Sequence, residues 1–188
     1  MNGLDRAEFG RLFAEHAPLF WVIAAARVPR AVAQDVVQEA AMIALDRLDR
    51  FTQGTDFRAW MAQIIRWTAM NMLRRLRRDT VHPLPESDGV PDLVARDVRD
   101  DAVTRDGSLL PMQTAFGDEL VQALDGLPDD TRTALLLRVV LELPYADIAR
   151  TLGMPEGSVA SHVHRARETL RRRLAPAHPL GLAPRESS

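Results

Sequence analysis

The clearest pattern of apolar and polar positions along the chain lies in residues 145–174. Apolar residues three and four positions apart in residues 145–152 predict a short amphipathic helix. Gly153 is expected to end that helix, because glycine takes the left-handed conformation after a helix without strain. Pro155 and Glu156 suit the first turn of a second helix. Two helices joined by a tight turn with glycine predict a helix-turn-helix.

The second helix of this pair combines an apolar stripe with a polar outer face and a basic tail. The stripe consists of Val159, Val163, Ala166, Leu170 and Leu174, and the outer face of Ser158, Ala160, Ser161, His162, His164 and Arg165. Between residues 165 and 173, five arginines accompany a single glutamate, a balance that favours binding to phosphates. The segment alone is also compatible with an ordinary α-hairpin in a helical domain.

Apolar residues at helical spacing predict three further helices in the first part of the chain and two before the helix-turn-helix. The predicted helices cover residues 4–27, 31–48, 57–78, 118–124 and 129–141. Pro18 is expected to break or kink the first of them, because an interior proline removes a hydrogen bond and clashes with the preceding turn. Gly54 indicates a loop at residues 50–56.

Residues 79–117 interrupt the helical pattern with four prolines and three glycines, and eight acids against three arginines give them a charge of −5. They are predicted to form a flexible linker, and a relaxed coil of this length averages about 35 Å from end to end. The flanking domains are therefore expected to lie close together in variable arrangements. Residues 175–188 are predicted to be a disordered tail. The predicted fold class is all-α, with two small helical domains (residues 1–78 and 118–174) joined by the flexible acidic linker and the C-terminal domain a helix-turn-helix.

Composition and side-chain chemistry argue against an enzyme or a metal protein. The chain has no cysteine, which excludes disulfides and thiolate metal sites. His162 and His164 are two positions apart on one helix and point in different directions, so we expect no metal site. No phosphate-binding loop and no catalytic triad pattern occurs, and we expect no cofactor, no catalytic residue and no small-molecule substrate. Without a membrane-spanning run or a signal peptide, the expected location is the cytoplasm.

Two stretches of the chain carry a resemblance to a known family. Residues 35–78, DVVQEAAMIALDRLDRFTQGTDFRAWMAQIIRWTAMNMLRRLRR, resemble domain two of the extracytoplasmic-function (ECF) sigma factors. Residues 127–174, LPDDTRTALLLRVVLELPYADIARTLGMPEGSVASHVHRARETLRRRL, resemble domain four of the same family. These proteins are the smallest members of the sigma-70 family of bacterial RNA polymerase specificity subunits. The resemblance implies a sigma factor that binds core polymerase, recognises promoters and starts transcription.

The resemblance also implies how the chain meets the polymerase. In the family, the second helix docks on the clamp of the β′ subunit, and domain four contacts the flap of the β subunit. The matching residues of the second helix and its end are Asp35, Gln38, Glu39, Asp46 and Asp49. Alternatively, these polar residues only solvate an exposed helix face. Because family members often bind an anti-sigma factor between their two domains, such a protein is a further candidate partner.

The family reads the −10 promoter element with the loop after the second helix and with the third helix. These elements hold a base flipped out of the opened strand, together with its phosphates. The matching residues are Phe51, Thr52, Gln53, Gly54, Thr55 and Asp56 in the loop and Trp60, Arg66, Trp67, Asn71, Arg74 and Arg75 on the helix. Where the family usually has asparagine after an arginine, this chain has Trp67 after Arg66. Trp67 either packs against the domain or stacks on a base, which contributes about 1–3 kcal/mol.

The family reads the −35 element with the start of the last helix in the major groove. The matching residues are Ser158, Ala160, Ser161, His162, His164, Arg165 and Arg167. Ala160 stands where many members have a long basic side chain, so one contact is missing. An alanine can still touch a thymine methyl, and an arginine can donate two hydrogen bonds to guanine.

Two other functions remain open at this point. A stand-alone helix-turn-helix regulator would bind duplex DNA as a dimer and would not need residues 35–78. An adaptor protein would bind polymerase without reading a promoter, and would not need the arginines near Arg165.

Overall fold

The computed structural model describes residues 4–52, 54–81 and 118–174, and all regular secondary structure in these residues is helical. The helices are α1 (Arg6–Ala25), α2 (Arg30–Leu45), a 3₁₀ turn (Leu48–Arg50), α3 (Phe57–Val81), α4 (Asp118–Asp125), α5 (Asp129–Val139), α6 (Tyr145–Leu152) and α7 (Glu156–Leu174). The predicted all-α fold is confirmed. Gln53, the predicted tail and all but the first three residues of the predicted linker lie outside the described residues.

Helices α1, α2 and α3 pack on one another and form the first bundle. Asp5 starts α1 as its N-cap by accepting a hydrogen bond from the backbone N–H of Glu8 at 2.8 Å. Of the predicted break or kink at Pro18, the break does not occur, because α1 continues through the proline to Ala25. Tertiary packing holds the helix together there, since Phe9 before the proline and Phe20 after it are both buried.

Phe57, the first residue of α3, is the centre of an aromatic cluster in this bundle. Its ring lies 5.6 Å from that of Phe9 and 6.1 Å from those of Phe20 and Phe51, with interplanar angles of 65–79° typical of edge-to-face contacts. The cluster fixes the start of α3 against α1 and also holds the beginning of the loop at residues 51–56.

Helices α4 to α7 form the second bundle, with α5 and α7 in the most extensive contact. The predicted helix-turn-helix is present, and Gly153 ends α6 in the left-handed conformation at φ 65°. The predicted apolar stripe of α7 is buried from Val159 to Ala166, but Leu170 is only partly buried and Leu174 is exposed. The last turn of α7 is held differently, since the Arg173 guanidinium donates a hydrogen bond to the backbone carbonyl of Ala123 in α4 at 3.2 Å.

The two bundles touch through α1 with α5 and through α3 with α6. Arg27, just after α1, donates a hydrogen bond to Oδ1 of Asp130 in α5 at 2.6 Å. Arg66 in α3 donates to the same oxygen at 3.3 Å and to the backbone carbonyl of Leu152 at 3.1 Å. The two bundles are therefore in contact, as expected, and the variability of their arrangement stays a prediction. We call Arg27, Arg66 and Asp130 the interbundle clamp.

Asp56 directly precedes α3 and caps its first turn. Its carboxylate accepts hydrogen bonds from the backbone N–H of Arg58 at 2.9 Å and from the Arg58 guanidinium at 3.1 and 3.3 Å. Burial alone would raise the pKa of Asp56, but the hydrogen bonds and charge of Arg58 outweigh it and hold the pKa below its ordinary value. The carboxylate therefore stabilises the folded state in its ionised form.

We predict that Asp56→Ala lowers the free energy of unfolding by about 1 kcal/mol at neutral pH, as expected for a lost N-cap. Because the pKa of Asp56 is lower in the folded state, its contribution is complete above about pH 4, the ordinary aspartate pKa, and is lost as pH falls through the folded value. Urea denaturation of both proteins at neutral and acidic pH measures the difference. Asp56→Asn keeps an acceptor and should lose less, while Asp35→Ala, on an exposed part of α2, is the matched control. An equal loss in Asp56→Ala and Asp35→Ala would contradict the capping role.

Candidate nucleic-acid interface

The C-terminal half of α3 presents a basic groove. Its lining consists of Asn71, Arg74, Arg75, Arg77 and Arg78. Within it the Arg74 guanidinium lies 3.4 Å from the Asn71 amide oxygen, and both side chains were predicted to meet the −10 strand. Four guanidinium groups along one side of a helix create a local positive potential that the chain's net charge of −2 conceals. Such a groove suits the phosphate backbone of a nucleic-acid strand.

The loop that precedes α3 is anchored at both ends and exposed at its tip. Phe51 packs edge-to-face on Trp60 with a centroid distance of 5.1 Å, so both rings lie at the edge of the aromatic cluster. At the tip, the Thr55 hydroxyl donates to the backbone carbonyl of Thr52 at 2.6 Å, and Gly54 has a φ of 93° that favours glycine. The exposed residues available to a base are therefore at the tip, while Phe51, Trp60 and Asp56 hold the loop in place.

Trp67 is exposed on α3, with 47% of its surface accessible, and does not belong to the buried core. Together with Met70, which is also exposed, it lines a crevice of about 420 Å³ between the two bundles. Arg27 and Arg66 form part of the same crevice. The sequence left two roles open for Trp67, packing inside the domain or stacking on a base. Its exposed position does not fit packing inside the domain, and it leaves the ring available for stacking.

The start of α7 presents a narrow polar face to solvent. Ser161, His164 and Arg165 are exposed on it, and a helical period of 3.6 residues places them on one side of the helix. The Ser161 hydroxyl donates to the Gly157 carbonyl at 2.8 Å, and Arg165 Nε donates to the Ser161 carbonyl at 3.3 Å. These contacts lay the Arg165 guanidinium along the outer face.

The remaining predicted α7 residues lie partly on this face and partly at its sides. Ser158 is half-buried on the face itself, and Ala160 and Arg167 lie on one flank. His162 lies on the opposite flank, where its Nδ1 is 2.9 Å from the hydroxyl of the buried Thr131 in α5. The structure therefore turns His162 toward α5 and away from the exposed face.

The predicted polymerase-binding residues lie mainly on the exposed side of α2. Asp35, Gln38, Asp46 and Asp49 are exposed. The fifth, Glu39, is paired with Arg75 of α3 through two contacts of 3.2 and 3.3 Å. Because Arg75 was assigned to DNA, the structure joins a predicted polymerase-binding residue to a predicted DNA-binding residue at one corner of the first bundle.

Sequence reasoning missed three residues that the structure makes prominent. Met42 is 67% exposed within the polar face of α2, and an apolar residue off the buried stripe was the signal that could have revealed it. Arg27 and Asp130 are 103 positions apart, and no local pattern predicts their contact.

Among residues 4–52, 54–81 and 118–174, no group of histidine, aspartate and glutamate side chains could hold a metal ion. None of the described helices is long and apolar enough to cross a bilayer.

Both halves of the chain match models of one protein family. Residues 12–79 match sigma-70 region 2, and residues 117–170 match sigma-70 region 4. The first match covers most of α1 and all of α2 and nearly all of α3, including the basic groove. The second covers α4, α5 and α6 and most of α7, including its exposed polar face.

Curated sigma factors align with most of this chain. The RNA polymerase sigma-H factor of Pseudomonas aeruginosa is 36% identical over 149 residues, covering 77% of this chain and 74% of the relative. The ECF RNA polymerase sigma-E factor of Escherichia coli K12 is 30% identical over 176 residues, covering 92% and 89%. The ECF RNA polymerase sigma factor SigE of Mycolicibacterium smegmatis is 34% identical, and the matched region spans 52% of its length.

Two solved structures have a similar fold. The sigma factor RpoE of Bartonella quintana, solved with the anti-sigma factor NepR, aligns over 90% of this chain and 98% of that chain with a TM-score of 0.58 and 25% identity. CnrH, solved with the cytosolic domain of CnrY, aligns over 89% and 88% with a TM-score of 0.56 and 20% identity, which supports the fold alone. With both sigma-70 regions matched in order and relatives aligned over most of their length, the chain belongs to the ECF RNA polymerase sigma factors of the sigma-70 family.

Proposed function

We propose that this chain directs core RNA polymerase to a class of promoters, with the first bundle binding core and the −10 element and the second bundle reading the −35 element. The observation that carries the proposal is the presence in one chain of a basic groove on α3 and an exposed polar face on α7. The α7 face, formed by Ser161, His164 and Arg165, is called the reading face, and each surface lies within its own sigma-70 region. The phosphodiester chemistry belongs to the polymerase, and the chain contributes binding and DNA opening.

The polymerase contact is assigned to the exposed side of α2. Asp35, Gln38 and Met42 are three and four positions apart, so they share one side of the helix, with Met42 among the acidic residues. An exposed methionine bordered by polar side chains is typical of the apolar centre and polar rim of a protein interface. The pairing of Glu39 with Arg75 leaves Glu39 as a link between α2 and α3.

The −10 contact is assigned to the loop tip, Trp67 and the basic groove of α3. The exposed loop tip at Thr52, Gly54 and Thr55 can receive a base, and the arginines of the groove can follow the strand's phosphates. Trp67 supplies a stacking surface where the family usually has asparagine. Base stacking tolerates sequence, so we expect weak base preference at the position that Trp67 contacts.

The −35 contact is assigned to the narrow face formed by Ser161, His164 and Arg165. Arg165 has the donor geometry that suits guanine in the major groove, and the two shorter side chains limit the face to a few bases. His162 is held by Thr131 on the flank, so we assign it to positioning α7 and not to base reading.

A regulatory partner follows from the solved relatives. The Bartonella quintana sigma factor was solved bound to its anti-sigma factor. We propose by this similarity that an anti-sigma factor is a partner of this chain.

Run-off transcription with purified core polymerase and genomic fragments tests the proposed function. Core polymerase with the chain should yield discrete transcripts from a subset of fragments, and core alone should not. Binding of the chain to duplex DNA as a dimer, without any transcript in the presence of core, would favour the stand-alone regulator.

We predict that Met42→Glu weakens binding to core polymerase about 5- to 30-fold, the effect of losing roughly 1–2 kcal/mol at the centre of an interface. Ala14→Glu is the matched control, because it adds the same charge at an exposed apolar residue of the first bundle outside α2. Fluorescence anisotropy of the labelled chain titrated with core measures both. Equal affinities of Met42→Glu and wild-type chain would remove α2 from the polymerase interface.

We predict that Arg165→Ala lowers affinity for a matched −35 duplex by about 1–3 kcal/mol and reduces preference over a scrambled duplex. The double substitution Arg171→Ala and Arg172→Ala should weaken both duplexes alike and lower the salt dependence, because these residues follow the reading face by more than a turn. Arg173 is left out because it bonds to α4. Equal losses on matched and scrambled duplexes for Arg165→Ala would reduce Arg165 to a phosphate contact.

A further inference from the structure

Arg27 and Arg66 converge on a single carboxylate oxygen. Their guanidinium groups lie 2.6 and 3.3 Å from Oδ1 of Asp130, and Arg27 also lies 3.7 Å from a carboxylate oxygen of Asp129. The Arg27 side chain is only 10% exposed, and its Nε is buried without a hydrogen-bond partner among the described residues. Two guanidinium groups of the first bundle, the largely buried one of Arg27 and that of Arg66 at 32% exposure, therefore face one carboxylate oxygen of Asp130 in the second bundle.

The chemistry of this contact is that of an oxyanion site. Burial alone would raise the pKa of Asp130, but the hydrogen bond and charge of Arg27, with the charges of Arg66 and His162, hold it below its ordinary value. Two guanidiniums directed at one oxygen recognise phosphate as readily as carboxylate, because both ligands present oxygens with the spacing of the guanidinium fork. The orphaned Nε of Arg27 is a donor that the single carboxylate does not use.

The site adjoins the surfaces assigned to the opened DNA strand. Arg66 lies beside Trp67 in the crevice, and the same side of α3 continues to Arg74 in the basic groove, eight residues or about 12 Å along the axis. A strand that follows the groove and stacks on Trp67 would bring a phosphate to Arg66 and Arg27.

We infer that Arg27 and Arg66 form a phosphate site for the single strand of the opened promoter, and that Asp130 occupies this site in the free chain. The inference rests on the proposed function and adds to it Arg27, which lies outside the helices assigned to DNA, and a competitor within the chain, Asp130. Asp130 and a strand phosphate cannot hold the same guanidiniums, so strand binding requires the two bundles to separate at the clamp.

Binding of a short oligothymidylate to the full chain tests this site, because the probe has phosphates but no promoter sequence. Asp130→Asn removes the carboxylate charge and should tighten binding by about tenfold if the open state is about a tenth of the wild-type population. The same substitution should lower energy transfer between dyes at Ala14→Cys and Glu168→Cys, two exposed positions on α1 and α7. Because the natural chain has no cysteine, these two sites are the only ones labelled.

Two further variants separate the phosphate site from a general charge effect. Asp125→Asn removes the same charge from the second bundle but acts on a contact inside it, with Arg132 at 2.7 Å, so affinity and energy transfer should stay at wild-type values. Adding Arg27→Gln to Asp130→Asn should abolish the gain in affinity. It should also reduce the slope of log affinity against log salt by about 0.7, the value for one lost phosphate contact on a single strand.

The outcomes are distinct. Lower energy transfer in Asp130→Asn with unchanged oligothymidylate affinity would overturn the phosphate site and leave the clamp as a purely structural contact. Unchanged energy transfer would overturn the role of Asp130 in holding the bundles together. A gain in affinity that persists after Arg27→Gln would overturn the assignment to Arg27. Each result can be obtained whether or not run-off transcription succeeds, so failure of this inference and failure of the proposed function are separable.

Discussion

The arrangement of the two bundles depends on one ion-pair cluster, in which Asp130 of α5 meets Arg27 and Arg66 of the first bundle. The largely buried guanidinium of Arg27 needs an anion, because a charged group removed from water without a partner is costly. Asp130 provides that anion from the first turn of α5, and the next residue, Thr131, lies 2.9 Å from Nδ1 of His162 in α7. A single carboxylate thus connects the first bundle with the neighbourhood of α7, the helix proposed to read the −35 element.

In this closed arrangement, part of the proposed −10 surface of the first bundle lies against the second bundle. In the free chain Arg66 is bonded to α5 and to the end of α6, and the crevice beside Trp67 is bordered by Asp129. Promoter elements one to two DNA turns apart are separated by roughly 35–70 Å, which bundles in direct contact cannot span. Promoter binding as proposed therefore requires the clamp to open, and core polymerase is the partner proposed to hold the bundles apart.

The sequence predicted the elements well because their causes are local. Helical spacing gave all seven helices with ends within a few residues, and Gly153 gave the turn of the helix-turn-helix. Local rules do not decide the outcome where distant packing acts, as at Pro18, where α1 continues through the proline between buried phenylalanines. The side chains gathered at the clamp and the turn of His162 toward Thr131 depend on contacts between separate helices, which no periodic pattern contains. The assignment of residues to DNA and polymerase came from the family resemblance, and exposure on the helices refines it.

The distance between the bundles in the free and polymerase-bound chain tests the account most directly. Nitroxide labels at Ala14→Cys and Glu168→Cys report this distance by pulsed dipolar spectroscopy, and the cysteine-free chain keeps the labelling specific. We predict a mainly short distance distribution for the free chain and a shift to clearly longer distances on binding core polymerase. The same short distribution in both states would contradict the account, because the bundles would then remain clamped while the chain is bound to polymerase.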